Sequence, residues 1–96
     1  MQVIIRNVAQ VPNKYARLLK WKMYNLAEKF KDLLYIEAFI NAEGKKPKEY
    51  KLKLRLGITG HDIIITRKSN NLEKCIHQIE NKAHIQLVNS KEKVLW

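Results

Sequence analysis

The sequence predicts an α+β domain with the element order β-α-β-β-β-α. Three observations carry that reading. Helical periodicity occurs twice, once after Pro12 and once after Asn70. Strict alternation of apolar and basic residues runs from Tyr50 to Leu56. Short β-rich apolar runs fill three of the remaining stretches. The first strand, first helix and second strand make a crossover unit, so those two strands are predicted parallel. The last three strands follow one another closely enough to pair as antiparallel hairpins. The result is a four-stranded mixed sheet with both helices on one face and the other face open.

Gln2 to Asn7 reads as the first strand, with Val3 and Ile5 on one face and Ile4 on the other. Apolar residues on both faces fit an interior position in the sheet. Pro12 and Asn13 mark a helix start, since proline suits the first turn and asparagine caps well. That helix runs to about Lys31. Tyr15, Ala16, Leu19, Met23, Leu26 and Phe30 fall within roughly a 100° arc, the stripe expected to face a core.

Leu34 to Asn41 is the second strand, rich in β-formers (Tyr35, Ile36, Phe39, Ile40). Asn41 to Lys48 reads as a polar, basic loop. In the third strand Tyr50, Leu52, Leu54 and Leu56 alternate with Lys51, Lys53 and Arg55. One face meets the core and the other is a basic row. Gly57-Ile58-Thr59-Gly60 supplies turn chemistry, and Asp62 to Arg67 is the fourth strand. Ser69 or Asn70 is placed to cap the second helix, with Glu73 completing a capping-box-like pair if Asn70 is the cap. Leu72, Cys75, Ile76, Ile79, Ala83 and Leu87 form its core stripe. Lys91 to Trp96 reads as a frayed end.

Ninety-six residues suit one domain with one core, spanning 1–96. No apolar run approaches the roughly 18 residues of a membrane span, and the N-terminus lacks the pattern of a secretory signal. A single cysteine, Cys75, has no internal disulfide partner. Together these point to the reducing cytoplasm. Cys75 itself reads as a small buried hydrophobe.

The formal net charge is +10 on a 46% hydrophobic chain. Residues 1–32 carry seven Lys or Arg against two acids, residues 33–68 eight against four, and residues 69–96 four against three. The first helix and the following hairpin are therefore basic, while the second helix is nearly neutral. A small domain with this balance suits a polyanion partner, most often nucleic acid. Trp21 and Tyr24 lie off the core stripe near Arg17, where rings can stack on bases beside cations that neutralise phosphate. The same rings could instead shield their basic neighbours or meet a partner chain. The row Lys51, Lys53, Arg55 supports two readings as well, phosphate contact or a solvated strand face that discourages aggregation.

Nothing in the chain supports catalysis. His77 and His84 are seven residues apart, too far for helical chelation by ligands one turn apart. His61 is the third histidine, and no HExxH-like spacing occurs. Ser69 and Ser90 lack a glycine-rich elbow, and no phosphate-cradling loop is present. No metal, cofactor or small-molecule substrate is expected.

The chain resembles the ribosome hibernation-promoting factors, or ribosome-associated inhibitors, known in older usage as sigma-factor modulation proteins. The resemblance rests on Met1-Gln2-Val3-Ile4-Ile5, with a helix opening after Val11. Lys22-Met23-Tyr24-Asn25-Leu26 followed by Phe30 looks like the family's Lys-Leu-x-x-Leu-x-x-x-Phe run. Asn71-Leu72 with Ile76, then Lys82 and Gln86-Leu87, resembles its Asp-Met-Tyr-x-x-Ile…Lys-Leu-x-x-Gln-Leu run. The chain departs from the pattern at Asn71, where the family has an acid, and at Glu73, where it has tyrosine. The basic run that closes the family's second helix is thinned to Asn89-Ser90-Lys91-Glu92-Lys93.

The resemblance implies a fold related to double-stranded-RNA-binding domains and a short form without a C-terminal dimerisation domain. It also implies binding to the small ribosomal subunit and its rRNA, in the channel of messenger and transfer RNA. Translation would be silenced by occupancy, as in a stress response. Lys22 and Lys82 carry over as matching basic positions. Arg17, Lys20, Lys29, Lys74, Lys91 and Lys93 join them as candidate RNA contacts on charge alone, with Lys51, Lys53 and Arg55 as additional candidates. A domain of this architecture with another RNA target, or a protein-interaction regulator of transcription, are the alternatives.

Overall fold

The computed structural model describes residues 2–44 and 49–94, with side chains through residue 90. The elements are β1 (Gln2–Asn7), α1 (Asn13–Lys29), β2 (Leu33–Glu43), β3 (Glu49–Ile58), β4 (His61–Ser69) and α2 (Leu72–Val94). The sheet order is β1-β2-β3-β4. β1 pairs parallel with β2, and β2–β3 and β3–β4 pair antiparallel, as the crossover unit and the short connections predict.

The strands and helices meet in one apolar core. Val3, Ile36, Ala38, Ile40, Leu52, Leu54, Leu56 and Ile65 line the covered face of the sheet. Leu19, Met23 and Leu26 of α1 pack onto it, with Cys75, Ile76, Ile79, Ala83 and Leu87 of α2. Both predicted helical stripes are thus core stripes, although Tyr15, Ala16 and Phe30 at the margins of the first are only half-buried. α1 lies over β1, and α2 lies over β3 and β4. Lys22 meets Glu80 and Phe30 meets His84, so the two helices run side by side in the same direction.

Several expectations are corrected in detail. β1 is an edge strand, not an interior one. Its Ile4 lies on the open face beside Glu37 in register, because apolarity on both faces does not require a neighbouring strand on both sides. Asn13 is the first helical residue; Pro12 occupies the N-cap and makes no side-chain cap. The local work is done upstream by Asn7. Its amide donates to Val11 O at 2.8 Å and accepts from Val11 N at 2.9 Å, closing the turn into α1. α1 ends at Lys29 because Phe30 takes an extended conformation.

β2 continues past Asn41 to Glu43, which faces Glu49 across the hairpin, so the predicted loop is shorter at its start. Its residues 45–48 lie outside the described residues. Gly57 belongs to β3, and only Thr59 and Gly60 form the turn, with Gly60 at φ 95° where glycine is favoured. β4 reaches from His61 to Ser69. The cap of α2 is Asn71, whose Oδ1 accepts from Lys74 N at 3.0 Å, while Ser69 Oγ accepts from Asn71 N at 3.1 Å. Neither Ser69 nor Asn70 is the cap, and Glu73 forms no box. At the other end α2 is assigned through Val94, past the Lys91 where the sequence reading ends it, and residues 95–96 lie outside the described residues.

Candidate nucleic-acid interface

The outward face of α1 gathers Arg17, Lys20, Trp21 and Tyr24, all exposed. Trp21 is 60% and Tyr24 46% exposed, large values for such rings. They stand beside two exposed cations, the arrangement predicted from the helical wheel. The remaining basic residues of the helix behave differently. Lys22 Nζ lies 3.5 Å from Glu80 Oε1, between the helices, and 5.6 Å from the Trp21 ring centroid. Its side chain is only 17% exposed. Lys29 is exposed and lines a shallow cleft with Leu26, Glu80, Asn81 and His84. The edge of the Phe30 ring meets His84 at 5.2 Å between centroids and closes that end of the helix pair.

On α2, Lys74 is exposed in the first turn and Lys82 is half-buried. At about 100° per residue, Lys82 falls roughly 160° around the helix from Glu80 and His84. It therefore lies on the flank away from α1. Lys22 and Lys82, the two positions matched by resemblance, are not neighbours. The side chains of Lys91 and Lys93 lie outside the described residues. The structure thus divides the predicted set into an α1 surface, a cleft between the helices and a separate α2 flank.

The open face of the sheet carries the third group. The register sets side chains in transverse rows: Gln2–Tyr35–Gly57–Asp62, Ile4–Glu37–Arg55–Ile64, Arg6–Phe39–Lys53–Thr66 and Asn41–Lys51–Lys68. Arg55 donates from Nε at 2.9 Å and from Nη2 at 2.8 Å to Asp62 Oδ2. The Tyr35 hydroxyl donates to Asp62 Oδ1 at 2.9 Å. These bonds, first from Arg55 and then from Tyr35, hold the Asp62 carboxyl below the usual carboxylate range. The bond to Asp62 raises both the Tyr35 hydroxyl and the Arg55 guanidinium above their ordinary values. Arg6 Nε is likewise 2.9 Å from Glu37 Oε2. Two arginines are therefore matched to two carboxylates. Among the described residues, Lys51, Lys53 and Lys68 on this face have no acidic partner.

Lys53 Nζ lies 5.9 Å from the centroid of Phe39, its cross-strand neighbour. Arg6, Phe39 and Lys68 were not singled out by the sequence. The signal that finds them is the period of two in β2 and β4, once the register joins those strands to β3.

Cys75 is buried, and burial pushes its thiol up; its Sγ lies 3.6 Å from Arg67 O. This fits the structural role expected of it. Among the described residues, no three His, Cys, Asp or Glu side chains group to hold a metal. Among the described residues, no helix is long and apolar enough to cross a membrane.

No family model and no curated sequence matches the chain. Its fold does match solved structures. One is a ribosomal subunit interface protein from Coxiella burnetii, with a TM-score of 0.81 and 14% identity, covering 96% of this chain and 99% of that one. Another is the Protein Y N-terminal domain from Thermus thermophilus, with a TM-score of 0.69 and 13% identity, covering 90% of this chain and 91% of that one. The fold expected from the resemblance to hibernation-promoting factors is therefore the fold the chain adopts.

Proposed function

We propose that this chain is a non-enzymatic ribosome-binding protein of the hibernation-promoting factor type. It silences translation by occupying the messenger and transfer RNA channel of the small subunit. The observation that carries this reading is the end-to-end likeness in fold to a ribosomal subunit interface protein. The net charge of +10 supports it, because a phosphate-rich surface favours a compact basic body.

The exposed face of α1 supplies the first contact surface. Arg17 and Lys20 neutralise phosphates, and Trp21 and Tyr24 offer rings to unstacked bases. Lys29, in the cleft between the helices, adds a further cation. Lys22 acts mainly by holding α1 against Glu80 of α2. Inhibition by occupancy asks only for contact area and charge, so the protein consumes nothing.

Two measurements test this. In a sucrose gradient the protein should co-sediment with small subunits. In a translation assay it should inhibit empty ribosomes strongly and preformed initiation complexes weakly. Failure to co-sediment overturns ribosome binding, and equal inhibition of empty and preloaded ribosomes overturns occupancy of the channel.

A further inference from the structure

The face of the sheet that the helices leave open carries an aromatic ring set among cations. Phe39 sits near the middle of β2, half-buried, with Arg6 on one side in β1 and Lys53 on the other in β3. Lys53 Nζ, 5.9 Å from the ring centroid, is at the outer limit of a cation–π contact. From there it can reach a phosphate attached to a group stacked on the ring. Lys51 follows two residues along β3, roughly 7 Å away on the same face. Lys68, on β4, is the ladder partner of Lys51.

Among the described residues, no acid of this face is in an ion pair with these lysines. Glu37 is bound to Arg6, and Asp62 is bound to Arg55 and Tyr35. Glu43 and Glu49, opposite each other near the end of the β2–β3 hairpin, bound the surface on that side. What remains is a half-buried ring beside Lys53, with Lys51 and Lys68 in the next row, and none of the three lysines is in an ion pair among the described residues. A ring that stacks a base, with cations placed for the phosphates on either side, is the chemistry that holds an unpaired strand. A duplex hides its base faces and would leave Phe39 unused.

We infer that the open face of the sheet is a second binding surface, one that takes unpaired RNA, with Phe39 stacking a base and Lys51, Lys53 and Lys68 contacting phosphates. The choice of RNA over DNA rests on the ribosome reading; the stacking surface rests on the sheet alone. The surface lies on the opposite side of the molecule from α1, so one chain can hold two RNA segments at once.

The test measures binding of a fluorescent, unstructured 12-nucleotide RNA to the full chain by anisotropy, with inorganic polyphosphate as competitor. Phe39→Leu keeps an apolar group but removes the stacking face. It should weaken RNA binding roughly 5- to 100-fold and leave polyphosphate affinity unchanged. Phe39→Tyr should retain RNA binding, which guards against a loss caused by misfolding. Replacing Lys51, Lys53 and Lys68 together by glutamine should reduce the salt slope of RNA binding by about 2. Equal RNA affinity in Phe39→Leu and the parent chain overturns the inference. So does a parallel loss of RNA and polyphosphate binding, which would mark a general polyanion surface. Tighter binding of the DNA strand of the same sequence overturns the assignment to RNA. If the oligonucleotide results hold while co-sedimentation with small subunits fails, the ribosome reading falls and the sheet surface stands.

Discussion

The ring of Tyr35 lies directly over Gly57, its partner in the β2–β3 ladder. A Cβ on Gly57 would run into that ring, within 2.6 Å of Cζ. The absent side chain leaves the ring room to lie flat, and this position lets the hydroxyl reach Asp62 on β4. Glycine is needed here for close approach, in a strand where it would otherwise weaken the ladder.

Gly57→Ala should therefore destabilise the chain by about 1–3 kcal/mol through overpacking. Thermal or denaturant unfolding measures this. The decisive comparison is the same change made together with Tyr35→Ala. With the ring gone, alanine has room and should stabilise the strand by roughly 0.5–1 kcal/mol relative to glycine. A penalty of the same size in both backgrounds would show that the ring is not the obstacle.

Stability should also depend on pH through Asp62. Its folded carboxyl is held below the ordinary range by Arg55 and Tyr35. A depressed pKa contributes stability above the unfolded value, and that contribution is lost as pH falls through the folded value. The loss should appear below about pH 4. Asp62→Asn should flatten that part of the stability profile. Tyr35 acts at the other end. Its raised pKa contributes stability below about pH 10, which is lost as pH rises through the folded value.

The basic residues of α1 should separate into two classes. Arg17→Gln with Lys20→Gln should weaken co-sedimentation with small subunits and leave the unfolding midpoint nearly unchanged, as exposed positions usually do. Lys22→Gln should cost about 0.5–1 kcal/mol of stability by losing Glu80. If roughly 4–6 phosphates are neutralised overall, log affinity should fall with log salt at a slope of about −3 to −5. A flat dependence would remove phosphate contact as the basis of binding.

Asn71→Ala should destabilise the chain by about 1 kcal/mol, because it leaves the Lys74 N–H without its cap. Asn71→Asp should not, since a carboxylate caps equally well. Asn70→Ala should have little effect. Calorimetric midpoints of the three variants give the order, and a larger loss at Asn70 would move the cap there.

The elements, their order and their buried faces were legible in the local sequence. Tyr50 to Leu56 could only be a one-sided strand, and the stripes through Leu19, Met23, Leu26 and Cys75, Ile79, Ala83 could only be helical. Those signals are local, because backbone geometry repeats every 2 or 3.6 residues wherever the chain lies. The concentration of charge on the first helix was legible for the same reason. Which charges are paired among the described residues depends on packing. Arg55 looks like Lys53 in the sequence, but the β3–β4 register brings it to Asp62 and leaves Lys53 beside Phe39. Lys22 looks like Lys20, but helix packing sets it against Glu80. The placement of β1 at the edge and the joining of Arg6, Phe39 and Lys68 into one surface came from the same source. Pairing between residues distant in sequence depends on strand register and helix docking, and those are set by how the whole core closes.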